Sequence, residues 1–142
     1  MSRGNEKKPI FGGEQDMQKF LRMVAIMLDR YQLKLHSYVL MMNHFHLLIE
    51  APLGGLSAGM QWLIGSYSRY FNWRHKRIGH VFQGRFKSVL VLDERYFVTV
   101  SRYIHRNPVE SGLTGAPWDY SWSSCRDFAG LRVAPAWLRI ER

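Results

Sequence analysis

The sequence contains very little cysteine, since Cys125 is the only one in 142 residues. A single cysteine excludes an internal disulfide framework and a zinc cluster built from cysteines. Long apolar runs are also missing, because none approaches the roughly 18 residues that a membrane-spanning helix needs. Residues 1–8 are polar and do not resemble a secretory signal. We therefore expect a soluble, cytoplasmic protein without a membrane partner.

Acidic residues are scarce as well. The chain has 11 Asp and Glu residues against 20 Lys and Arg residues, which gives a formal net charge of +9. Because 46% of the residues are hydrophobic, this excess does not mark a disordered basic tail, and the length suffices for one core. We predict a single domain over residues 1–142, in which residues 112–142 form an aromatic-rich C-terminal arm.

The positive charge is concentrated between Arg69 and Arg106, where nine basic residues stand against two acidic ones. Aromatic residues are interleaved with these cations, a mixture suited to binding phosphates and stacking bases. For any single residue, a solvated helix face above core aromatics is an equally good explanation. For the cluster as a whole we expect a nucleic-acid partner. The candidate DNA-binding residues are Arg69, Arg74, Lys76, Arg77, Arg85, Lys87, Arg102 and Arg106.

Hydrophobic periodicity predicts the order of helices and strands. Asp93 is a candidate N-cap for the last helix, and Asn107 with Pro108 should end that helix. The order predicts an α+β domain with a mainly antiparallel sheet covered by helices. The expected helices cover residues 14–31, 56–76 and 94–106, the expected strands cover 33–42 and 44–50, and a strand or hairpin is expected within 81–92.

The sharpest local feature is His44-Phe45-His46 in the second of these strands. Side chains alternate along a strand, so both histidines point to one face and Phe45 to the other. Two adjacent imidazoles suit a divalent cation, although polar histidines at a sheet surface explain the pattern at least as well. Glu50 lies on the same face and either orients one histidine or is an ordinary surface acid.

Tyr103 and Asn107 are four residues apart on the last predicted helix and therefore share a face. An amide oxygen at Asn107 could complete a metal site while the phenol of Tyr103 faces the same centre. The alternative makes Tyr103 a core aromatic and Asn107 a helix cap. The spacing alone does not decide between these two possibilities.

Five blocks of the sequence resemble one family. The run Tyr38-Val39-Leu40-Met41-Met42-Asn43-His44-Phe45-His46-Leu47-Leu48-Ile49 resembles the histidine–hydrophobic–histidine (HUH) signature of single-tyrosine transposases. The run Arg102-Tyr103-Ile104-His105-Arg106-Asn107-Pro108-Val109 resembles their nucleophile helix. Together the blocks are most similar to the branch called REP-associated tyrosine transposases. The other three are Arg3-Gly4-Asn5 followed by Ile10-Phe11, the segment 79–87, and the segment 117–124.

The resemblance implies the HUH endonuclease fold, a ferredoxin-like antiparallel sheet with helices packed on it. It also implies a transposase that cuts and rejoins single-stranded DNA next to a hairpin, acting as a monomer or a homodimer. By the same resemblance, His44, His46 and Asn107 bind Mg²⁺ or Mn²⁺, and Tyr103 attacks to form a 5′-phosphotyrosine link. Family members usually have a complete strand before the Arg3-Gly4-Asn5 block, whereas only Met1 and Ser2 precede it here, so we expect a truncated first strand.

Two other functions agree with the same residues. One is a non-catalytic protein that binds single-stranded nucleic acid on the same scaffold. The other is a metal-dependent hydrolase that uses His44 and His46 without covalent catalysis. The fate of the cleaved DNA ends and the effect of a Tyr103→Phe change distinguish the three functions.

Overall fold

A computed structural model describes residues 1–140. The three strands form one sheet in the order β1-β3-β2, and β2 and β3 are antiparallel. This arrangement confirms the predicted α+β architecture. The elements are strands β1 (Ser2–Arg3), β2 (Lys34–Leu40) and β3 (His44–Glu50), helices α1 (Glu14–Arg30), α2 (Leu56–Arg74), α3 (Glu94–Glu110) and α4 (Cys125–Phe128), and 3₁₀ turns at Asn5–Lys7 and Pro117–Asp119.

The chain forms two compact units, each of which gathers several stretches of sequence. Unit 1 comprises Met1–Leu33, Met42–His44 and Ala51–Lys87. Unit 2 comprises Lys34–Met41, Phe45–Glu50 and the chain from Ser88 onward. The single domain predicted from the sequence stays a prediction.

Strands β2 and β3 pair with one irregularity. Val39 lies opposite His46, but the register shifts between Leu35 and Ser37. His36 is therefore an extra residue on β2, as in a β-bulge. Because residues directly opposite each other share a face of the sheet, Val39 identifies the face that carries His46.

Helix α3 covers this face of the sheet in unit 2. Its Ile104 is 2% exposed and packs with Val39, Met41 and Leu48 in one apolar cluster. Burial of this cluster is the main force that holds α3 on the sheet. The polar side of the amphipathic helix faces solvent, and the face of β3 that carries His46 and Leu48 lies beneath α3.

In unit 1, α1 and α2 enclose an aromatic cluster. The ring of Tyr67 packs edge-to-face against Phe20, with centroids 5.2 Å apart, and also contacts Phe11 and Phe82. Its hydroxyl group donates to the carbonyl oxygen of Ile10 at 2.5 Å. Burial raises the pKa of this phenol well above its usual range. The hydrogen bond satisfies the one polar atom that Tyr67 brings into the core.

A buried carboxylate joins the beginning of α1 to the end of α2. Asp16 is 0% exposed and accepts from Gly12 N (2.6 Å), Tyr70 Oη (2.9 Å), Arg74 Nη1 (2.8 Å) and His75 Nε2 (2.7 Å). Burial by itself raises the pKa of Asp16, but the hydrogen bonds from His75, Gly12 and Tyr70 outweigh it and hold the pKa below its usual value. A buried charge with four donors is stable, whereas one without them is costly.

The strand or hairpin expected within residues 81–92 is wrong, because this described segment contains no regular strand. Residues 81–87 instead run beside residues 1–5 in an irregular ladder. Gly84 has a φ of 64° and interrupts the ladder, since few other residues adopt this backbone conformation. The ladder bonds join Asn5 N to Val81 O (2.9 Å), Gln83 N to Arg3 O (2.8 Å) and Lys87 N to Met1 O (2.9 Å).

Helix α3 continues to Glu110 with Pro108 inside it, so its predicted end at residue 106 is wrong. Because Pro108 has no backbone N–H, the carbonyl group of residue 104 loses its helical hydrogen bond. Pro108 stands in the last turn of α3, so only the end of the helix is affected. Gly112, with a φ of 76°, ends the helix, and Leu113 N donates to Pro108 O at 2.9 Å. This bond and the glycine form a Schellman motif, which overrides the proline signal. Asp93 caps the other end as predicted and accepts from Tyr96 N at 2.8 Å.

The C-terminal residues lie along the second edge of β2. Backbone bonds join Leu40 N to Trp122 O (2.8 Å) and Ser124 N to Tyr38 O (3.0 Å). Farther along, Arg139 N donates to Leu35 O at 2.8 Å. In the predicted arm 112–142, Glu141 and Arg142 lie outside the described residues. Up to residue 139, the arm supplies β2 with the partners that its second edge needs.

Arg132 connects several parts of the C-terminal arm through hydrogen bonds. Arg132 donates twice to the buried carboxylate of Asp127, at 2.7 and 3.2 Å, and also to the carbonyl oxygens of Ser121 and Ser123. Its contact with Tyr38 Oη is longer, at 3.5 Å. Burial raises the pKa of Tyr38 to about 12, so the phenol stays protonated at neutral pH. The bidentate pairing of Arg132 with Asp127 is a strong and geometrically specific interaction.

Candidate functional site

The two histidines occupy alternate positions at the start of β3, as predicted. Both side chains are partly buried, whereas Phe45 between them is 0% exposed. Alternation along the strand places both imidazoles on one face and the phenyl ring on the other. The separation of two residues between His44 and His46 in the sequence therefore places both side chains on the same face of the strand.

The proton position on His44 is set by its neighbour. His44 Nδ1 lies 2.8 Å from Asn43 Oδ1, while Asn43 Nδ2 faces the carbonyl oxygen of Lys7 at 3.4 Å. The amide nitrogen can only donate to that carbonyl, so the amide oxygen is the atom directed at His44. The contact is a hydrogen bond when His44 Nδ1 carries the proton, because the amide oxygen can only accept.

Tyr103 on α3 contacts His46 on β3. The two ring centroids are 5.5 Å apart and the planes meet at 82°, which is an edge-to-face contact. Tyr103 is nevertheless 57% exposed, so it is not the core aromatic of the alternative interpretation. The contact places a solvent-accessible phenol beside an imidazole of the histidine pair.

Asn107 follows Tyr103 by one helical turn and is 8% exposed. Its backbone carbonyl accepts from Ser111 N at 3.0 Å, and the helix continues past it, so Asn107 is not the helix cap. Its side-chain amide makes no hydrogen bond within residues 1–140. An amide that is mostly buried and lacks a protein partner has a free oxygen to offer a cation.

The donors that the family resemblance assigns to a cation are two imidazoles and one amide oxygen. No group of three His, Cys, Asp or Glu side chains that could hold a metal ion occurs in the described part of the chain. His44 belongs to unit 1, whereas His46 and Asn107 belong to unit 2, and each side chain is described within its own unit. Imidazole ligands suit transition metals, and carbonyl oxygens suit Mn²⁺ and Mg²⁺.

The eight candidate DNA-binding residues fall into two groups. Four are exposed and make no ion pair within residues 1–140, namely Lys76, Arg85, Lys87 and Arg102. The other four have protein partners: Arg69 donates to Ser66, Arg74 pairs with Asp16, Arg77 donates to His80 O and lies over Phe71, and Arg106 pairs with Glu110. A role in DNA binding stays a prediction for all eight residues.

Sequence reasoning missed three polar contacts. Glu50 Oε1 lies 2.8 Å from Nε2 of His36 on β2, and the His36 ring also contacts Phe97. The network of Asp16 and the support of His44 by Asn43 were also missed. All three join residues that are distant in sequence or depend on side-chain rotamers. Only the position of Asn43 beside the histidine motif offered a signal.

The fold and the histidine face define this protein as one with the HUH transposase fold. A solved structure described as a REP-associated tyrosine transposase bound to a REP hairpin is similar to it, with a TM-score of 0.73 and 14% sequence identity. The match covers 94% of this chain and 78% of that chain. No curated protein matches the sequence. Within residues 1–140, none of the helices has the length and apolar character to cross a membrane.

Residues 1–107 match the family described as "Transposase IS200 like". The chain belongs to this family of transposases. The matched region contains both histidines, the tyrosine and Asn107. The family resemblance inferred from the sequence blocks is thereby confirmed.

Proposed function

We propose that the protein is a metal-dependent transposase that cleaves and rejoins single-stranded DNA through Tyr103, at repeats that form hairpins. The observation that carries this proposal is the contact between Tyr103 and His46, with ring centroids 5.5 Å apart. A tyrosine side chain can serve as the nucleophile of covalent catalysis, and Tyr103 is 57% exposed and therefore accessible to a phosphate group. The proposed place of action is DNA in the cytoplasm, in association with the nucleoid.

His44, His46 and Asn107 are the residues that would hold Mg²⁺ or Mn²⁺. When bound, the cation supplies Lewis-acid polarisation of the scissile phosphate. The protein contributes the orientation of the donors. His44 is held by Asn43, and His46 is packed against the ring of Tyr103.

In the proposed reaction, the phenolic oxygen of Tyr103 attacks the phosphorus atom and forms a new P–O bond. The bond from phosphorus to the 3′ oxygen breaks, which gives a 5′-phosphotyrosine and a free 3′-hydroxyl. The phenolic proton of Tyr103 passes to water during the attack, and the departing 3′ oxygen takes a proton from water. The phosphotyrosine conserves the phosphodiester energy, so a second 3′-hydroxyl can reverse the step without ATP.

The exposed cations support a polyanionic partner. Lys76, Arg85 and Lys87 belong to unit 1, and Arg102 to unit 2. Cations that are not committed to protein contacts can release counterions from phosphates and hence drive binding. Because the solved structure that is similar in fold is bound to a REP hairpin, we propose a hairpin beside the cleaved strand. Light scattering would distinguish the monomer from the homodimer, both of which agree with this function.

The test is the formation of a covalent adduct between the protein and a single-stranded oligonucleotide that contains a hairpin. With Mn²⁺, we expect a slowly migrating band on a denaturing gel for the wild type and no such band for Tyr103→Phe. Tyr96→Phe is the matched control, because Tyr96 lies on the same helix two turns earlier and is also exposed. It should form the adduct normally.

Other outcomes favour the other functions. DNA binding without any adduct in the wild type identifies a non-catalytic binder on the same scaffold. Cleavage that leaves both ends free and survives Tyr103→Phe identifies a hydrolase. An adduct that persists in Tyr103→Phe refutes the assignment of the nucleophile.

A further inference from the structure

We propose that Asn43 is a positioning residue that fixes the tautomer of His44, and that the turn of residues 4–8 holds Asn43 in place. The inference rests on the proposed role of His44 as a metal ligand and assigns a function to the Arg3-Gly4-Asn5 block. A neutral imidazole binds a cation through the nitrogen that lacks the proton. The partner of the other nitrogen therefore decides whether the ligand is ready.

The hydrogen-bond partners of the Asn43 side-chain amide are compatible with only one of its two flipped orientations. Its Nδ2 faces the carbonyl oxygen of Lys7 at 3.4 Å, and its Oδ1 lies 2.8 Å from His44 Nδ1. A flipped amide would place two acceptor oxygens against each other at Lys7. The flip would also turn the amide NH₂ group toward His44 and select the opposite tautomer.

The backbone of Asn43 is held by the same turn. Its carbonyl oxygen accepts from Gly4 N at 2.7 Å, and on the preceding residue Met42 O accepts from Ile10 N at 2.9 Å. Asn43 is thus held by its main chain and by its side chain, both from the segment that precedes α1. The start of β3 is fixed before the first histidine.

The turn owes its shape to close packing at Gly4. A Cβ atom at this position would lie 2.1 Å from the backbone oxygen of Lys8, which no side chain permits without a shift of the backbone. The φ of Gly4 is −61°, a value open to any residue, so the requirement for glycine here is purely steric. Glu6 and Lys7 have φ values of 54° and 60°, which direct the carbonyl of Lys7 toward Asn43.

The tautomer of His44 can be measured by ¹⁵N NMR on the metal-free protein at a pH of about 8, where an ordinary imidazole is neutral. We expect the proton on Nδ1 in the wild type and in Asn43→Asp, which keeps an acceptor oxygen for His44 and gives up the 3.4 Å hydrogen bond to the carbonyl oxygen of Lys7. In Asn43→Ala the proton should shift to Nε2 in much of the population. Asn72→Ala is the matched control, since that amide also donates to a backbone carbonyl, Gly79 O, and should leave His44 unchanged.

Calorimetry with Mn²⁺ alone gives the second measurement. Loss of a residue that orients a metal ligand typically weakens metal binding by about 10-fold to 100-fold. We expect this loss for Asn43→Ala and little loss for Asn43→Asp. A wild-type protein with the proton on Nε2, or an Asn43→Ala variant with unchanged tautomer and affinity, overturns the inference.

The two proposals fail separately. If the wild type does not bind Mn²⁺, the proposed metal site is wrong, and the NMR comparison still decides whether Asn43 sets the tautomer. If the wild type binds Mn²⁺ and Asn43→Ala binds it equally well, the proposed function stands and the role of Asn43 is refuted. Circular dichroism of each variant identifies any that fails to fold, and Asn43→Asp then decides the comparison.

Discussion

Arg74 Nη1 donates to Asp16 Oδ1 at 2.8 Å, and this carboxylate is completely shielded from solvent. Arg74 belongs to the basic stretch that the sequence associates with DNA, yet its guanidinium group neutralises a buried charge. The basic residues therefore include cations that hold the fold together as well as cations that remain available to a ligand. Mutagenesis can separate the two groups.

Arg74→Ala should lower the free energy of unfolding by about 3 kcal/mol, because removing one partner of a buried ion pair leaves the other uncompensated. Urea-induced unfolding followed by circular dichroism measures this change. Lys76→Ala is the control, since an exposed surface change should stay within about 0.5 kcal/mol. Equal stability of the two variants would show that Arg74 has no structural role.

Arg85→Ala should weaken DNA binding and leave stability unchanged. The side chain is exposed and lies in the segment that runs beside residues 1–5. If it contacts one phosphate, its loss reduces the salt dependence of the binding constant by about one counterion. Fluorescence anisotropy with a single-stranded hairpin oligonucleotide over a range of salt concentrations measures the slope. An unchanged slope would remove Arg85 from the DNA-binding residues.

Asp16 should make unit 1 sensitive to strong acid. Its pKa is lowered in the folded protein, so its stabilising contribution is complete above the unfolded value of about 3.9 and is lost as the pH falls through the folded pKa. We expect the wild type to lose stability below about pH 4. Asp16→Asn should be less stable at neutral pH and should lack this part of the acid-induced loss. Thermal melting over a pH series makes the comparison.

His105 should produce a second loss of stability at milder pH. Burial lowers the pKa of His105 to about 4, and its Nε2 lies 2.7 Å from Ser124 Oγ. Between about pH 6.5 and pH 4 the unfolded chain binds a proton here that the folded chain does not bind. Stability should fall across this window by as much as about 3 kcal/mol. In His105→Gln this loss should disappear from urea titrations, whereas a similar loss in both proteins would contradict the assignment.

Local patterns were enough to predict β3 and the core of α1. Strand β3 runs from His44 to Glu50, as the alternation indicates, and α1 ends at Arg30, one residue before its predicted end. Both predictions depend on spacing within one element, which the sequence displays directly. The approach of Tyr103 to His46 also followed from two short motifs once the family resemblance joined them.

Non-local contacts account for the errors. Residues 81–87 have strand-like composition, but their partners lie at residues 1–5, and Gly84 breaks the ladder between them. The end of α3 depended on Gly112 rather than on Pro108. In the site, the amide of Asn43 acquires its role only when the turn of residues 4–8 packs against it. A sequence pattern does not reveal such contacts before the chain is folded.

The pairing of β2 with the C-terminal arm has a consequence during protein synthesis. Strand β2 lies between residues 34 and 40, but its second edge is closed by Trp122, Ser124 and Arg139. While a ribosome is still adding the last third of the chain, that edge is open and can pair with a second nascent chain. The arm can cover the edge of β2 only after the C-terminal residues have been synthesised, and it then prevents edge-to-edge aggregation. A shortened arm would leave this edge of β2 exposed and prone to aggregation.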